Sequence, residues 1–168
     1  MIFDKRAGFT TAAAILLAAG AAFAAPEKPK LDMTAFFAGR SHSDNILKVA
    51  FHGPTKLIID SIGGKGDRGD FVLIDTIHEG DKPVRTRKWI MRAAGPGHFT
   101  GSLTDAIGPV DVLVNGDSVT IRYTMKGSLN VVQQMTLQPD GRTLANHVDV
   151  RKFGLKFASV DGTVRKLD

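Results

Sequence analysis

The residues able to do chemistry are few. There are five histidines, His42, His52, His78, His98 and His147, and no cysteine. Without thiols, disulfides, thiolate zinc sites and cysteine nucleophiles are excluded. A histidine-based metal site needs several N or O ligands converging on one point. Asp75, His78 and Glu79 are close in sequence, but on a strand Asp75 and His78 face opposite sides. His147 and Asp149 share a strand face and make an incomplete pair. Ser41-His42-Ser43-Asp44 holds the residue types of a hydrolytic triad, yet sequence neighbours rarely form one and no G-x-S-x-G is present. Gly63-Gly64-Lys65-Gly66-Asp67-Arg68-Gly69 lacks the order of a phosphate loop and reads as a mobile loop. No cofactor and no metal are expected.

The strongest charge feature is Lys82, Arg85, Arg87, Lys88 and Arg92. On a strand, Arg85 and Arg87 share a face with Trp89 and Met91, while Lys88 and Arg92 take the other. Cationic groups beside an aromatic and a thioether suit an amphiphile, with a polar head on the arginine and a chain on Trp89 and Met91. A charged edge strand is the plainer use of the same residues. Leu73, Val112, Val119, Ile121, Tyr123, Met125, Met135 and Val148 are the other interior candidates. The candidate ligand-binding set is therefore Arg87, Trp89, Met91, Asp105, Tyr123 and Met125, with Asp105 entering as a titratable partner for Arg87. The basic residues are not interleaved with stacking aromatics, so nucleic acid is not an expected partner.

These side chains are positioned by many short strands. Leu31 to Ala38 is the one plausible helix or turn. Alternation and turn signals then recur about every ten residues, as in a sandwich or barrel. The clearest period-two run sets Val119, Ile121, Tyr123 and Met125 against Thr120, Arg122, Thr124 and Lys126. Asn115-Gly116 and Pro139-Asp140-Gly141 mark hairpins, and Asp161-Gly162 suggests a further turn. About nine strands and no long amphipathic helix predict an all-β chain. Successive hairpins favour an antiparallel up-and-down barrel with a short N-terminal helix or turn.

The first 24 residues read as an address. Lys5 and Arg6 precede an apolar, alanine-rich run ending in Ala22-Phe23-Ala24, the pattern of a secretory signal peptide. Residues 25–34 would then be an extended N-terminal segment and 35–168 one barrel domain. A periplasmic or secreted, monomeric protein is expected, with no transmembrane segment after cleavage. A chain of 168 residues with net charge +5 suits a single core without staples.

Phe36-Phe37-Ala38-Gly39, Arg87-Lys88-Trp89, Gly101 to Gly108, Tyr123, the Val131-to-Met135 strand and Arg151-Lys152-Phe153-Gly154 occur in an order that resembles domain of unknown function 3833, a proteobacterial envelope family. The resemblance spans roughly Phe36 to Lys166 and implies a lipocalin-like barrel. Members often resemble lipoproteins; this chain has no lipobox cysteine. Gly39 is followed by Arg40 and Ser41 rather than the tryptophan of a lipocalin opening. The resemblance supplies no catalytic residues. The sequence thus supports a lipid or other apolar small-molecule binder, with a filled interaction barrel and an enzyme on a lipid-like substrate as alternatives.

Overall fold

The computed structural model describes residues 29–168; the expected signal peptide lies outside the described residues. A short helix α1 (Met33–Phe37) precedes ten strands: β1 (Gly39–Val49), β2 (Thr55–Lys65), β3 (Phe71–Glu79), β4 (Arg85–Gly95), β5 (His98–Leu103), β6 (Ala106–Asn115), β7 (Ser118–Met125), β8 (Leu129–Leu137), β9 (Thr143–Lys152) and β10 (Leu155–Lys166). Each pairs antiparallel with the next, and β1 pairs with β10, so the sheet closes into an up-and-down barrel. Closure leaves no unpaired edge.

Alternation sets the wall. On β7, Val119, Ile121 and Tyr123 point inward and are buried. On β4, Trp89 and Met91 do the same, while Lys88 and Arg92 face solvent. The period-two pattern places every other interior candidate in or against the same core. Both hairpins form: Gly116-Asp117 is the turn between the paired Asn115 and Ser118, and Pro139-Asp140-Gly141 turns between β8 and β9, with both glycines at positive φ.

Three expectations are corrected. The sequence suggested a turn at Asp161-Gly162, but both residues lie inside β10, opposite His147 and Asn146 of β9. A Cβ on Gly162 would sit 2.1 Å from Asp44 O and 2.6 Å from Asn45 Oδ1, so close approach, not a bend, requires the glycine. The Gly63-to-Gly69 run is not one loop. Gly63 and Gly64 belong to β2, where a Cβ on Gly63 would meet Phe37 O at 2.2 Å. The turn after them is tied by Gly66 N–H donating to Asp70 O and Gly69 N–H to Gly66 O. Finally, the strands number ten: β5 is a six-residue strand with a single fully buried side chain, Leu103, too short and polar to read as one.

The two ends of the barrel differ. At the end where β1 starts, α1 covers the opening with Met33, Phe36 and Phe37 buried. Asp32 caps the helix by accepting from Ala35 N–H. That hydrogen bond, with one from Thr34, holds the Asp32 carboxyl below its usual range. Lys166 Nζ donates to the carbonyls of Ala35, Phe36 and Ala38, fixing the helix C-terminus. Asp168 accepts from Arg40 N–H and Arg40 Nε on the same end. The opposite end has no such plug among the described residues and carries the turns β1–β2, β3–β4, β5–β6, β7–β8 and β9–β10.

Candidate functional site

The site is a polar layer across the barrel interior, built by register. Ser61 of β2, Asp75 of β3 and Arg87 of β4 are direct cross-strand partners, so their inward side chains form one row. Asp75 is 3% exposed and fully engaged. Its Oδ1 accepts from Ser61 Oγ at 2.7 Å. Its Oδ2 accepts from Trp89 Nε1 at 2.7 Å and from Arg87 Nε and Nη2 at 3.3 and 3.2 Å. A carboxylate buried this deeply requires such partners. The Arg87 guanidinium also lies 5.0 Å from the Trp89 ring centroid. Trp89 meets Tyr123 edge-on at 5.6 Å. Burial pushes the Tyr123 phenol up, against a smaller opposite pull from Arg87.

Across the barrel a second polar row completes the layer. Asn45 of β1 and Asn146 of β9 both register with Gly162 on the strand between them. Because Gly162 has no side chain, Asn146 Nδ2 reaches over it to Asn45 Oδ1 at 3.0 Å. Gln133 Nε2 donates to Asn146 Oδ1 at 2.8 Å, and Asn45 Nδ2 to Ser43 Oγ at 2.6 Å. A buried amide chain satisfied in this way fixes side-chain orientation.

The layer divides the interior. On the plugged side is a cavity of about 70 Å³ under α1, bounded by Met33, Phe37, Leu73, Met91, Ile121 and Met135. On the other side is a cavity of about 220 Å³, with a wall of Leu57, Ile77, Met125, Val131, Val148 and Val160. Arg87, Gln133 and Asn146 line both. Arg85 and Glu79 stand at the rim of the larger cavity, where Arg85 bridges Glu79 and Asp105 at 3.6 and 3.3 Å.

The sequence candidates divide accordingly. Arg87, Trp89 and Met91 border the plugged cavity; Arg87, Tyr123 and Met125 border the larger one. Asp105 lies apart: it sits in the β5–β6 turn and pairs with Arg85, so the pairing of Asp105 with Arg87 is corrected. The carboxylate on Arg87 is Asp75, which the sequence offered only as a metal ligand beside His78 and Glu79. Ser61, Gln133, Asn45 and Asn146 were missed, since inward polar residues interrupt the apolar alternation that reveals a strand. The wall histidines pair with aspartates: His98 meets Asp111 alone, and His42 and His147 meet two each. His42 lies between Asp60 Oδ1 at 2.7 Å and Asp44 Oδ2 at 3.2 Å, and the hydrogen bond to Asp60 chiefly raises its pKa above the ordinary 6.5. His147 meets Asp161 at 2.6 Å and Asp149 at 3.6 Å. Among the described residues no group of three His, Asp or Glu side chains is placed to hold a metal ion. No described helix is long and apolar enough to cross a membrane.

The fold is a closed ten-stranded antiparallel up-and-down barrel, capped by a short helix at one end and with a cavity toward the other. The family described as protein of unknown function (DUF3833) matches residues 16–166, and the chain belongs to it. A search of curated proteins returns no match. Among solved structures, the chain is similar to a protein of unknown function of the DUF3598 family from Nostoc punctiforme, with TM-score 0.64 and 14% identity over 84% of this chain and 51% of that one. The chain therefore spans about half the length of that protein. It is also similar to Rv2717c from M. tuberculosis, with TM-score 0.58 and 10% identity over 80% of this chain and 94% of that one. At these identities the likeness concerns the fold.

Proposed function

We propose that this protein is an exported binder of a small amphiphile, held in the larger cavity with its apolar part against Met125, Val131 and Val148 and its polar group toward Arg87. The observation that carries this reading is the cavity of about 220 Å³, apolar on its walls and polar at its floor. An apolar cavity of roughly 150 Å³ already accepts benzene. This one has room for a ring or a short length of acyl chain, with the remainder of the molecule at the mouth. The floor gives orientation. Arg87 uses Nε and Nη2 on Asp75 and also interacts with the Tyr123 phenol, so an oxygen of the ligand would meet the guanidinium and the phenol together. Because Asp75 neutralises Arg87, the site favours a polar neutral or singly charged head over a multiply charged one. Export rests on the pattern of residues 1–24.

Trp89 is the chain's single tryptophan and belongs to the floor, so its fluorescence reports on the cavity without labels. The test is native mass spectrometry of protein recovered without detergent, followed by titration of the solvent-extracted protein with fatty acids, monoacylglycerols and lysophospholipids. A reproducible adduct, and a saturable change in Trp89 emission on rebinding, are expected. Protein that carries nothing, and whose emission none of the three lipid classes alters, removes the proposal and favours a barrel used only as a scaffold.

A further inference from the structure

We propose that the unplugged end of the barrel docks on an anionic phospholipid surface through the turns β1–β2 and β9–β10. The two turns are neighbours: Ala50 N–H donates to Phe157 O at 2.9 Å. Phe51 at the tip of one is fully exposed, and Phe153 at the tip of the other is 82% exposed. Leu155 and Phe157 extend the same patch. All exposed phenylalanines among the described residues are therefore at this one edge of the barrel mouth. An apolar cluster of this kind on a surface marks a contact site.

The backbone points the same way. Among the described residues only three non-glycines have positive φ: Phe51 at 65°, Ser128 at 59° and Phe153 at 49°. A bulky side chain is disfavoured there, and glycine or asparagine would serve the turn better. Gly53 and Gly154 stand close by, so glycine is available to these turns, yet phenylalanine occupies the left-handed positions. Each aromatic is held out into solvent by a strained turn and is covered by no other described residue.

Charge identifies the surface. Lys48 lies near the end of β1, Arg151 and Lys152 at the end of β9 and Lys126 in the adjacent β7–β8 turn, and none has a carboxylate partner among the described residues. Lys152 Nζ lies 5.7 Å from the Phe153 ring, and Arg151 Nη1 donates only to Gly154 O. Of the acidic groups toward this end, Glu79, Asp81 and Asp105 lie on the other turns, where Lys82 and Arg85 bridge Glu79 and Asp105, and Asp149 on β9 is bridged by Lys156. One sector of the rim is thus aromatic and basic, and the other is largely self-neutralised. Aromatic tips inside a collar of free lysines suit an interface with negative headgroups above an apolar layer. An acidic protein would use the charges and leave the phenylalanines in water. Phe157 and Val49 also line the larger cavity, so docking here sets the cavity mouth against lipid.

The test is vesicle co-flotation of the full chain with phosphatidylcholine alone and with phosphatidylcholine containing phosphatidylglycerol. Asparagine tolerates positive φ, so Phe51→Asn with Phe153→Asn removes the aromatics and keeps the turns. Binding is expected to phosphatidylglycerol vesicles, to fall with salt, and to drop by roughly tenfold or more in this double variant and in Lys126→Glu/Lys152→Glu. All variants share residues 1–28 with the parent, so any contribution from the apolar stretch there cancels in the comparison. Equal binding to neutral and anionic vesicles, no binding to either, or binding that survives both double variants overturns the proposal. Retention on an immobilised polyanion such as polyglutamate without vesicle binding also overturns it, in favour of an acidic macromolecule. Ligand uptake read by Trp89 in vesicle-free solution should be unchanged in the variants. A parent protein that binds vesicles but takes up no ligand in vesicle-free solution would count against the amphiphile reading alone.

Discussion

The two ends of one barrel are built on opposite plans. At the plugged end, α1 buries Met33, Phe36 and Phe37, and Lys166 holds the helix carbonyls. There a glycine is required where the chain comes close: Gly63 lets Phe37 O approach β2. At the other end, phenylalanines stand in solvent, and positive φ is taken by residues that gain no packing from it. One end contributes to stability and the other contributes little. Local stability need not be uniform, and binding surfaces are drawn from its low end. The polar layer of Asp75, Arg87, Asn45 and Asn146 lies between them.

The sharpest way to break this contrast is to truncate one phenylalanine at each end. Phe37→Ala removes a buried ring and should destabilise by about 3–5 kcal/mol in urea unfolding. Phe153→Asn should stay within about 0.5 kcal/mol of the parent, because its ring touches little. Comparable losses at the two sites would erase the distinction.

The middle layer predicts the next largest effect. Arg87→Met leaves Asp75 buried with only Ser61 and Trp89 as donors, and should cost about 3 kcal/mol. Adding Asp75→Asn should restore much of that loss, since the uncompensated charge is then gone. Failure of the second change to restore stability would mean that Arg87 acts through its stem rather than its charge.

The smallest effect tests the outer wall. His42 has a raised pKa, so its protonated form is favoured in the folded state. Its contribution is fully present below the ordinary 6.5 and is lost as pH rises through the higher folded value. The imidazole is about one-third exposed, so solvent screening keeps the contribution under about 1 kcal/mol. His42→Gln should flatten the pH dependence of urea unfolding across that window, and an unchanged profile would assign the dependence to another group.

The wall was legible in the sequence where one face is apolar and the other polar. Val119 to Met125 shows this plainly, and the inward direction of Trp89 and Met91 follows from it. Legibility fails where function or close packing overrides alternation. The start of β1 places Ser41, Ser43 and Asn45 inside, so it does not read as a strand. Asp75 could be placed on a face but not beside Arg87, because that contact depends on the β3–β4 register, which no local pattern states. Gly162 was misleading for a related reason. Asp-Gly signals a turn locally, and only the neighbouring strands reveal that the missing side chain is the gap through which two asparagines meet.

The pairing of β1 with β10 has a kinetic consequence. Nine of the ten ladders join consecutive strands and can form as local hairpins. The tenth joins residues such as Ser41 and Lys166, at opposite extremes of the barrel sequence. Its closure entropy must be met before its hydrogen bonds return anything, so it is the natural last step and the slow one. Until it forms, the curled sheet has two bare edges, each eleven or twelve residues long. An incompletely closed barrel can pair those edges with another chain, and the interval before the seam shuts is when this molecule is most exposed to aggregation.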